Sequence, residues 1–239
     1  MIPKKIHYCW FGGKELPKQA KKCIASWQKY CPDYEIIQWN EENFDITQNP
    51  YLQYCYTNKL WAYLTDLVRL LVVFEHGGLY FDTDVQVLRC FDPLLENEAF
   101  FGWESKERVA TGLGFGAEAA HPVLEAMIEP YRQMVPNADG SFTMTVCPIL
   151  NTQALETFGL KVDGSAQQLG GIRILPVEYL CPYEYYTGRM RKTENSYSIH
   201  WYNQSWVSPW GKIRCVLTKP FHRVFGEHCF DWIKNRLSR

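Results

Sequence analysis

The run Tyr80-Phe81-Asp82-Thr83-Asp84 places two carboxylates one residue apart at the end of a short apolar stretch. On an extended chain, residues two apart point to the same face, so Asp82 and Asp84 are expected side by side. Carboxylates that close repel each other unless a cation lies between or beside them. A Mg²⁺ or Mn²⁺ held by one or two carboxylates keeps open positions that a diphosphate can fill. It can also neutralise charge on a leaving phosphate. Upstream, Asp66 and Arg69 stand three apart in an otherwise apolar helical run and share one helix face. Embedding that pair is costly unless it faces a polar site; the plain alternative is a surface ion pair worth little. Downstream, His200 offers an imidazole as a third ligand. Ser205 and Trp206 offer a hydroxyl and an indole N–H able to cover a sugar diphosphate. Trp10, closing the first apolar run, offers a ring for stacking on a base. The competing readings are a solvated turn for the Asp pair, a structural histidine and a core tryptophan.

These residues need elements to hold them. Ile2 to Trp10 reads as a strand stopped by Gly12-Gly13, Lys18 to Tyr30 as a helix, and Glu35 to Trp39 as a second strand, with a polar loop from Asn40. This β-α-β opening favours a parallel sheet in an α/β fold. Asn58 to Glu75 reads as a helix with apolar residues every three or four positions, stopped by Gly77-Gly78. Leu79 to Phe81 reads as a buried strand that Val85 to Leu88 continues, so the Asp pair lies at a strand's carboxyl end, where open α/β sheets bind ligands. Ala99 to Trp103, Gly112 to Ala117 and Ile172 to Leu175 are further strands. Helices are expected from Pro122 through Glu129, near Thr152 to Phe158 and from about Phe221, and a strand ends at His200. Gly112-Leu113-Gly114-Phe115-Gly116 lacks the spacing of a dinucleotide fingerprint; its glycines suit close backbone approach. No repeat or linker interrupts residues 1–239, which read as one domain.

Composition narrows the classes. The chain has 239 residues, 46% hydrophobic and 21% charged, enough to bury a core without staples. A net charge of −1 argues against a general nucleic-acid binder. Aromatic residues make up 15%, with nine tryptophans, so some rings must serve a purpose other than core filling. The nine cysteines are odd in number and none is spaced C-x-x-C, which excludes zinc-ribbon and thioredoxin readings and suits reduced thiols in a cytosolic protein. No apolar leader follows Met1 to Lys5, and the apolar stretch Leu67 to Phe74 contains Arg69 and is too short to span a bilayer. From Lys219 to Arg239, five Lys or Arg stand against Glu227 and Asp231. With Phe221, Phe225, Phe230, Trp232 and Ile233 they suit peripheral membrane contact, against the alternative of a helix packed on the domain.

Ile6-His7-Tyr8-Cys9-Trp10-Phe11-Gly12-Gly13, then Asp66-x-x-Arg69, then Gly77-Gly78-Leu79-Tyr80-Phe81-Asp82-Thr83-Asp84 resembles the bacterial branch of glycosyltransferase family 32, the sugar-binding region containing Asp-x-Asp. More distantly it is similar to the glucosyltransferase domains of large clostridial toxins. Thr111 to Ala117 and His200 to Trp206 also fall where such enzymes carry motifs. The resemblance implies a GT-A fold, a Rossmann-like α/β architecture with a mixed, mostly parallel sheet flanked by helices. It implies a nucleotide-sugar donor, first of all a UDP-sugar, a divalent metal (Mn²⁺ or Mg²⁺) and retention of anomeric configuration. Carried over by residue, Tyr8 and Trp10 would bind the donor, with Trp10 on the base. Asp66 and Arg69 would hold sugar hydroxyls and phosphate, Tyr80 the diphosphate, and Asp82 the ribose or sugar. Asp84 would ligate the metal with His200 and Asp82. Ser205 and Trp206 would lie on a loop closing over the donor, and Trp103 and Thr111 would meet the acceptor. Asp66, Arg69, Asp82 and Asp84 form the expected catalytic set. Two departures stand out: Thr111 replaces an asparagine frequent in relatives, and toxin-type enzymes carry a carboxylate near the position of His200.

The implied reaction is transfer of a hexosyl group to a glycan or lipid-linked saccharide, in bacterial capsule or surface polysaccharide synthesis, in the cytoplasm at the inner face of the membrane. The metal and Arg69 would stabilise the leaving nucleoside diphosphate. Retaining hydrolases place a nucleophilic carboxylate beneath the anomeric carbon; here Glu104 and Glu118 are the candidates, and front-face attack is the other route. A haloacid-dehalogenase-like phosphatase also uses Asp-x-Asp, but it continues with Thr or Val where this chain has Gln86, and it carries the motif on the first strand. A non-catalytic carbohydrate-binding module would leave Asp66, Arg69, Asp82 and Asp84 without a role.

Overall fold

The computed structural model describes residues 1–203 and 218–224. In chain order it begins β1 (Lys5–Cys9), α1 (Lys18–Tyr30), β2 (Glu35–Trp39), α2 (Pro50–Thr57), α3 (Trp61–His76), β3 (Gly78–Tyr80), β4 (Val85–Val87), β5 (Ala99–Ser105) and β6 (Arg108–Val109). It continues β7 (Phe115–Ala117), α4 (Pro122–Arg132), α5 (Cys147–Glu156), β8 (Gln167–Leu169), β9 (Ile172–Leu175), α6 (Val177–Leu180) and β10 (Ser198–His200). Eight strands form one sheet in the order β2-β1-β3-β7-β5-β9-β8, with β6 beside β5. Strands β2, β1, β3, β5 and β9 run one way and β7, β8 and β6 the other, which is the mixed, mostly parallel sheet flanked by helices that the sequence predicts.

Alternation along the strands divides the core into two layers. Ile6, Tyr8, Leu79, Phe81 and Phe100 face α1, whose Trp27 is fully buried among them. Tyr80, Phe101, Trp103 and Phe115 face the side covered by α2, α3, α4 and α5. Helix α3 is apolar around most of its surface because it lies between the sheet and its neighbours α2 and α4. It ends at Gly77 (φ +62°), and a side chain on Gly78 (φ +112°) would meet the Lys5 carbonyl at 2.9 Å, so the pair of glycines lets β3 enter the sheet directly beside β1.

The structure departs from the sequence reading in three places that shape the site. Val85–Val87 does not continue β3. The chain turns at Asp82–Asp84, with Val85 N–H donating to the Asp82 carbonyl (2.9 Å), and β4 leaves the sheet to pair antiparallel with β10. The glycine-rich run opens as a 3₁₀ turn (Thr111–Leu113) before β7. The stretch taken as polar loop after Asn40 contains α2, capped by the Asn49 side chain on the Tyr51 N–H (2.8 Å) with Pro50 in its first turn. Residues 218–224 are helical, and Lys219 Nζ donates to Tyr183 Oη (2.7 Å), docking them on the tyrosine-rich loop. Among the described residues no helix is long and apolar enough to cross a membrane.

Candidate active site

The chain passes from β1 to β2 on one side of β1 and then to β3 on the other, so the strand order reverses between β1 and β3. Open α/β sheets bind ligands at such a switch point, beyond the carboxyl ends of the strands. Trp10 follows β1 there, and Asp82 to Asp84 follow β3.

Asp82, Asp84 and His200 each present one ligand atom within 4.8 Å of the others. The β4–β10 ladder brings them together, with His200 opposite Val85. His200 Nε2 lies 3.1 Å from Asp84 Oδ1, and the Asn203 N–H donates to Asp84 Oδ2 at 2.7 Å. The Trp201 N–H donates to the Asp84 carbonyl (3.1 Å). Burial works to raise the Asp84 pKa, but the His200 charge and the hydrogen bonds from His200 and Asn203 hold it below the usual range. Burial works to lower that of His200, and the Asp84 charge outweighs it, so the imidazole binds its proton more tightly than usual. Two carboxylates and an imidazole suit a divalent cation. Bonds of ~2.1 Å set ligands about 3–4.2 Å apart, so atoms lying within 4.8 Å of one another are near enough to close on one ion.

Beside this trio, Arg69 lies between two carboxylates. Its Nη1 is 3.1 Å from Asp66 Oδ1 and its Nη2 is 3.0 Å from Asp82 Oδ1. Its guanidinium carbon sits 5.1 Å from the centre of the Tyr80 ring, and Tyr80 Oη donates to Asp82 Oδ1 (3.1 Å). Burial lifts Asp66 to about 6 against the opposing pull of Arg69. Burial likewise raises Asp82, with Arg69 again opposing. One buried cation shared by two carboxylates fixes the direction of Asp82. Gly112 closes this cluster: a methyl group there would stand 2.6 Å from Asp82 Oδ2.

Half-buried Trp10 lines an open cleft of about 790 Å³ with Gly12, Gly13, Lys14, Tyr56 and Trp61. Its indole N–H donates to the Lys14 carbonyl, leaving the ring on the cleft wall. The structure thus brings Asp66, Arg69, Asp82, Asp84 and His200 together, with Trp10 at the neighbouring strand end. Ser205 and Trp206 lie outside the described residues.

Four residues expected to contact donor or acceptor are buried in the structure. Tyr8, read as a donor contact, packs edge-on against Trp27 and donates to Gln38 Oε1 (2.7 Å). Tyr80 is 1% exposed and reaches Asp82 rather than a diphosphate. Trp103, read as an acceptor platform, is 0% exposed and donates to the Ser165 carbonyl (2.7 Å). Thr111, read as an acceptor contact, is also fully buried and accepts from Asn151 Nδ2 (3.1 Å). Of the two nucleophile candidates, Glu118 pairs with the Met1 ammonium and Glu104 accepts from Tyr202 Oη (3.2 Å). Sequence reasoning missed Asn203, which acts through a backbone N–H, and Trp61 and Tyr56, whose aromatic type was the available signal; Gly112 is one of the glycines expected to allow close approach.

Residues 17–101 match the family model described as "Glycosyltransferase sugar-binding region containing DXD motif". That stretch includes Asp66, Arg69, Asp82 and Asp84. The chain is similar to inositol phosphoceramide mannosyltransferase 3 of Schizosaccharomyces pombe, 31% identical over 127 residues, which are 52% of this chain and 35% of the relative. It is also similar to human alpha-1,4-N-acetylglucosaminyltransferase, 27% identical over 144 residues, 58% of this chain and 38% of the relative. These relatives are fungal and human, and the matches span 35% to 40% of the curated relatives' own lengths. Among solved structures, PaToxG glycosyltransferase aligns at 20% identity and a TM-score of 0.49, over 65% of this chain and 68% of its own. Galactosyltransferase LgtC with donor and acceptor sugar analogs aligns at 14% identity and 0.44, over 91% and 95%.

Proposed function

We propose that this chain, which carries the glycosyltransferase sugar-binding region across residues 17–101, is a metal-dependent, retaining glycosyltransferase of GT-A type. It would move a hexosyl group from a nucleotide sugar to a saccharide or lipid-linked acceptor. The observation that carries the reading is the trio Asp82, Asp84 and His200, set against the Arg69 cluster at the switch point of the sheet. When bound there, Mn²⁺ or Mg²⁺ supplies positive charge for a leaving diphosphate. Asp84 and His200 would hold that ion, and Asp82, fixed by Arg69 and Tyr80, would share in it or meet the donor's hydroxyls. Trp10 and Trp61 offer aromatic walls for a base. With Glu104 and Glu118 both engaged, attack from the face of the leaving group is the preferred route, the leaving phosphate oxygen taking the acceptor's proton. The names of the relatives, a mannosyltransferase of inositol phosphoceramide and an N-acetylglucosaminyltransferase, favour a hexosyl donor and leave a lipid-borne acceptor as the first to try. A UDP-sugar is the first donor to try. Such an enzyme would build surface glycans at the cytoplasmic face of a membrane.

The test is a donor-hydrolysis screen across UDP- and GDP-sugars with Mn²⁺, run on wild type and Asp84→Ala. Nucleoside diphosphate should be released from one donor only with metal present and not by the variant. Equal release by Asp84→Ala, or by wild type in excess chelator, would overturn the metal assignment. No release from any donor, with or without a saccharide acceptor, would overturn the transferase reading.

A further inference from the structure

The chain makes a sharp turn immediately after His200. Tyr202 sits at φ +52°, in the left-handed region that side chains other than glycine and asparagine rarely occupy. A tyrosine held there where glycine would be free of strain points to a use for its side chain. The turn aims two backbone N–H groups at one residue: Trp201 donates to the Asp84 carbonyl (3.1 Å) and Asn203 to Asp84 Oδ2 (2.7 Å). With Oδ2 engaged, Oδ1 is the oxygen directed at His200, 3.1 Å away. The Tyr202 ring centre lies 4.1 Å from that of His200. The hydroxyl is held from two other elements, 3.2 Å from Glu104 Oε1 on β5 and 3.0 Å from Cys181 Sγ beyond α6. On a further side the ring meets Tyr185 at 5.4 Å.

We propose that Tyr202 is a positioning residue for the Asp84–His200 pair. Its left-handed turn directs the Asn203 N–H onto Asp84, and its ring, anchored through the hydroxyl to Glu104, sets the plane of the His200 imidazole. This rests on the metal-dependent reading above. Partners that orient a metal ligand from outside the coordination shell typically carry about 10- to 100-fold in metal affinity.

The experiment measures binding of Mn²⁺ alone by calorimetry, to wild type, Tyr202→Phe, Tyr202→Asn and Asp84→Asn, with thermal midpoints of the metal-free proteins alongside. Asparagine tolerates the left-handed turn but removes the ring, so Tyr202→Asn should bind Mn²⁺ about 10-fold more weakly or worse. Tyr202→Phe, which keeps the ring and loses the hydroxyl's contacts with Glu104 and Cys181, should fall in between. A merely structural role would move the metal-free midpoint and leave Mn²⁺ affinity alone. Wild-type affinity in Tyr202→Asn, with binding lost in Asp84→Asn, overturns the positioning role and leaves the metal reading standing. No Mn²⁺ binding by wild type overturns both. If Tyr202→Asn does not fold, Glu104→Gln decides. Weakened Mn²⁺ binding that does not add to the effect of Tyr202→Phe supports the link, and unchanged binding in both variants overturns it.

Discussion

A single methyl group at Gly112 should disarm the site. The added carbon of Gly112→Ala would stand 2.6 Å from Asp82 Oδ2 and 3.2 Å from Arg69 Nη1. Gly112 is not among the glycines with positive φ, so alanine's backbone preference is no obstacle; loss of freedom in the unfolded chain stabilises by ~0.4–1 kcal/mol. Space decides the sign. The half-buried carboxylate must retreat by roughly 0.6 Å or more, and overpacking of this kind costs about 1–3 kcal/mol. The net expectation is a loss of about 0–2.5 kcal/mol in urea denaturation. Activity should suffer more, because the retreat stretches the 3.0 Å contact to Arg69 and the 3.1 Å bond from Tyr80 together. Hydrogen bonds to charged groups are worth ~1.5–3 kcal/mol, so kcat/KM for the donor with Mn²⁺ should fall by roughly 10- to 100-fold. Wild-type kcat/KM together with an unshifted urea midpoint would show that Asp82 moves freely, and the claim that Arg69 and Tyr80 fix it would fall.

Arg69→Met leaves buried Asp66 and half-buried Asp82 without their shared cation and should cost about 3 kcal/mol by urea denaturation; a cost below about 1 kcal/mol would deny the cation its role. Trp10→Ala should raise the donor KM more than it lowers kcat, and an unchanged KM would remove the ring from the donor cleft. Stability should depend on pH through Asp66. With its pKa raised to about 6 from 3.8, the folded protein keeps a proton the unfolded chain has lost, so this contribution declines as pH rises through that window. His7, lowered by burial to about 4 from 6.5, acts in the opposite sense there, since the unfolded chain gains its proton first as pH falls. The difference between wild type and Asp66→Asn therefore isolates the effect. The variant should gain on wild type between about pH 4 and 7, by up to ~3 kcal/mol, and a constant difference in urea midpoints would refute it.

Much of the frame was legible because it rests on local periodicity. Lys18–Tyr30, Glu35–Trp39 and Ile172–Leu175 occupy the ranges their patterns predict. Helix α2 carried a start signal in Asn49-Pro50, a cap residue followed by proline in the first turn, yet its mixed aromatic sequence hid it and the stretch reads as loop. Asp82 and Asp84 were found by their spacing, though they converge through a turn and not through a shared strand face. The burial of Tyr8, Trp103 and Thr111 went unforeseen because residue type does not state burial. For Tyr8, alternation with Ile6 on the buried face of β1 was the overlooked sign. His200 reaches its partners only through the pairing of β10 with β4, which no local pattern announces. Asn203 contributes an N–H that any residue except proline possesses, and so left no mark in the sequence.

The small β4–β10 ladder also bears on the order in which the molecule is completed. Asp84 and its Asn203 partner are 119 residues apart in the chain, whereas β1 pairs with the next strand, β2, Lys5 lying opposite Glu35. Contacts of such long separation carry a large loop-closure cost and form late. The two carboxylates therefore exist, balanced only by Arg69, before the imidazole arrives. An ion that needs all three ligands binds the finished ladder and not its precursor, and at a free concentration of 100 times its Kd it would stabilise that closed state by ~2.7 kcal/mol. On the proposed reading, the cation that serves the reaction is also the clasp that holds the last strand in place.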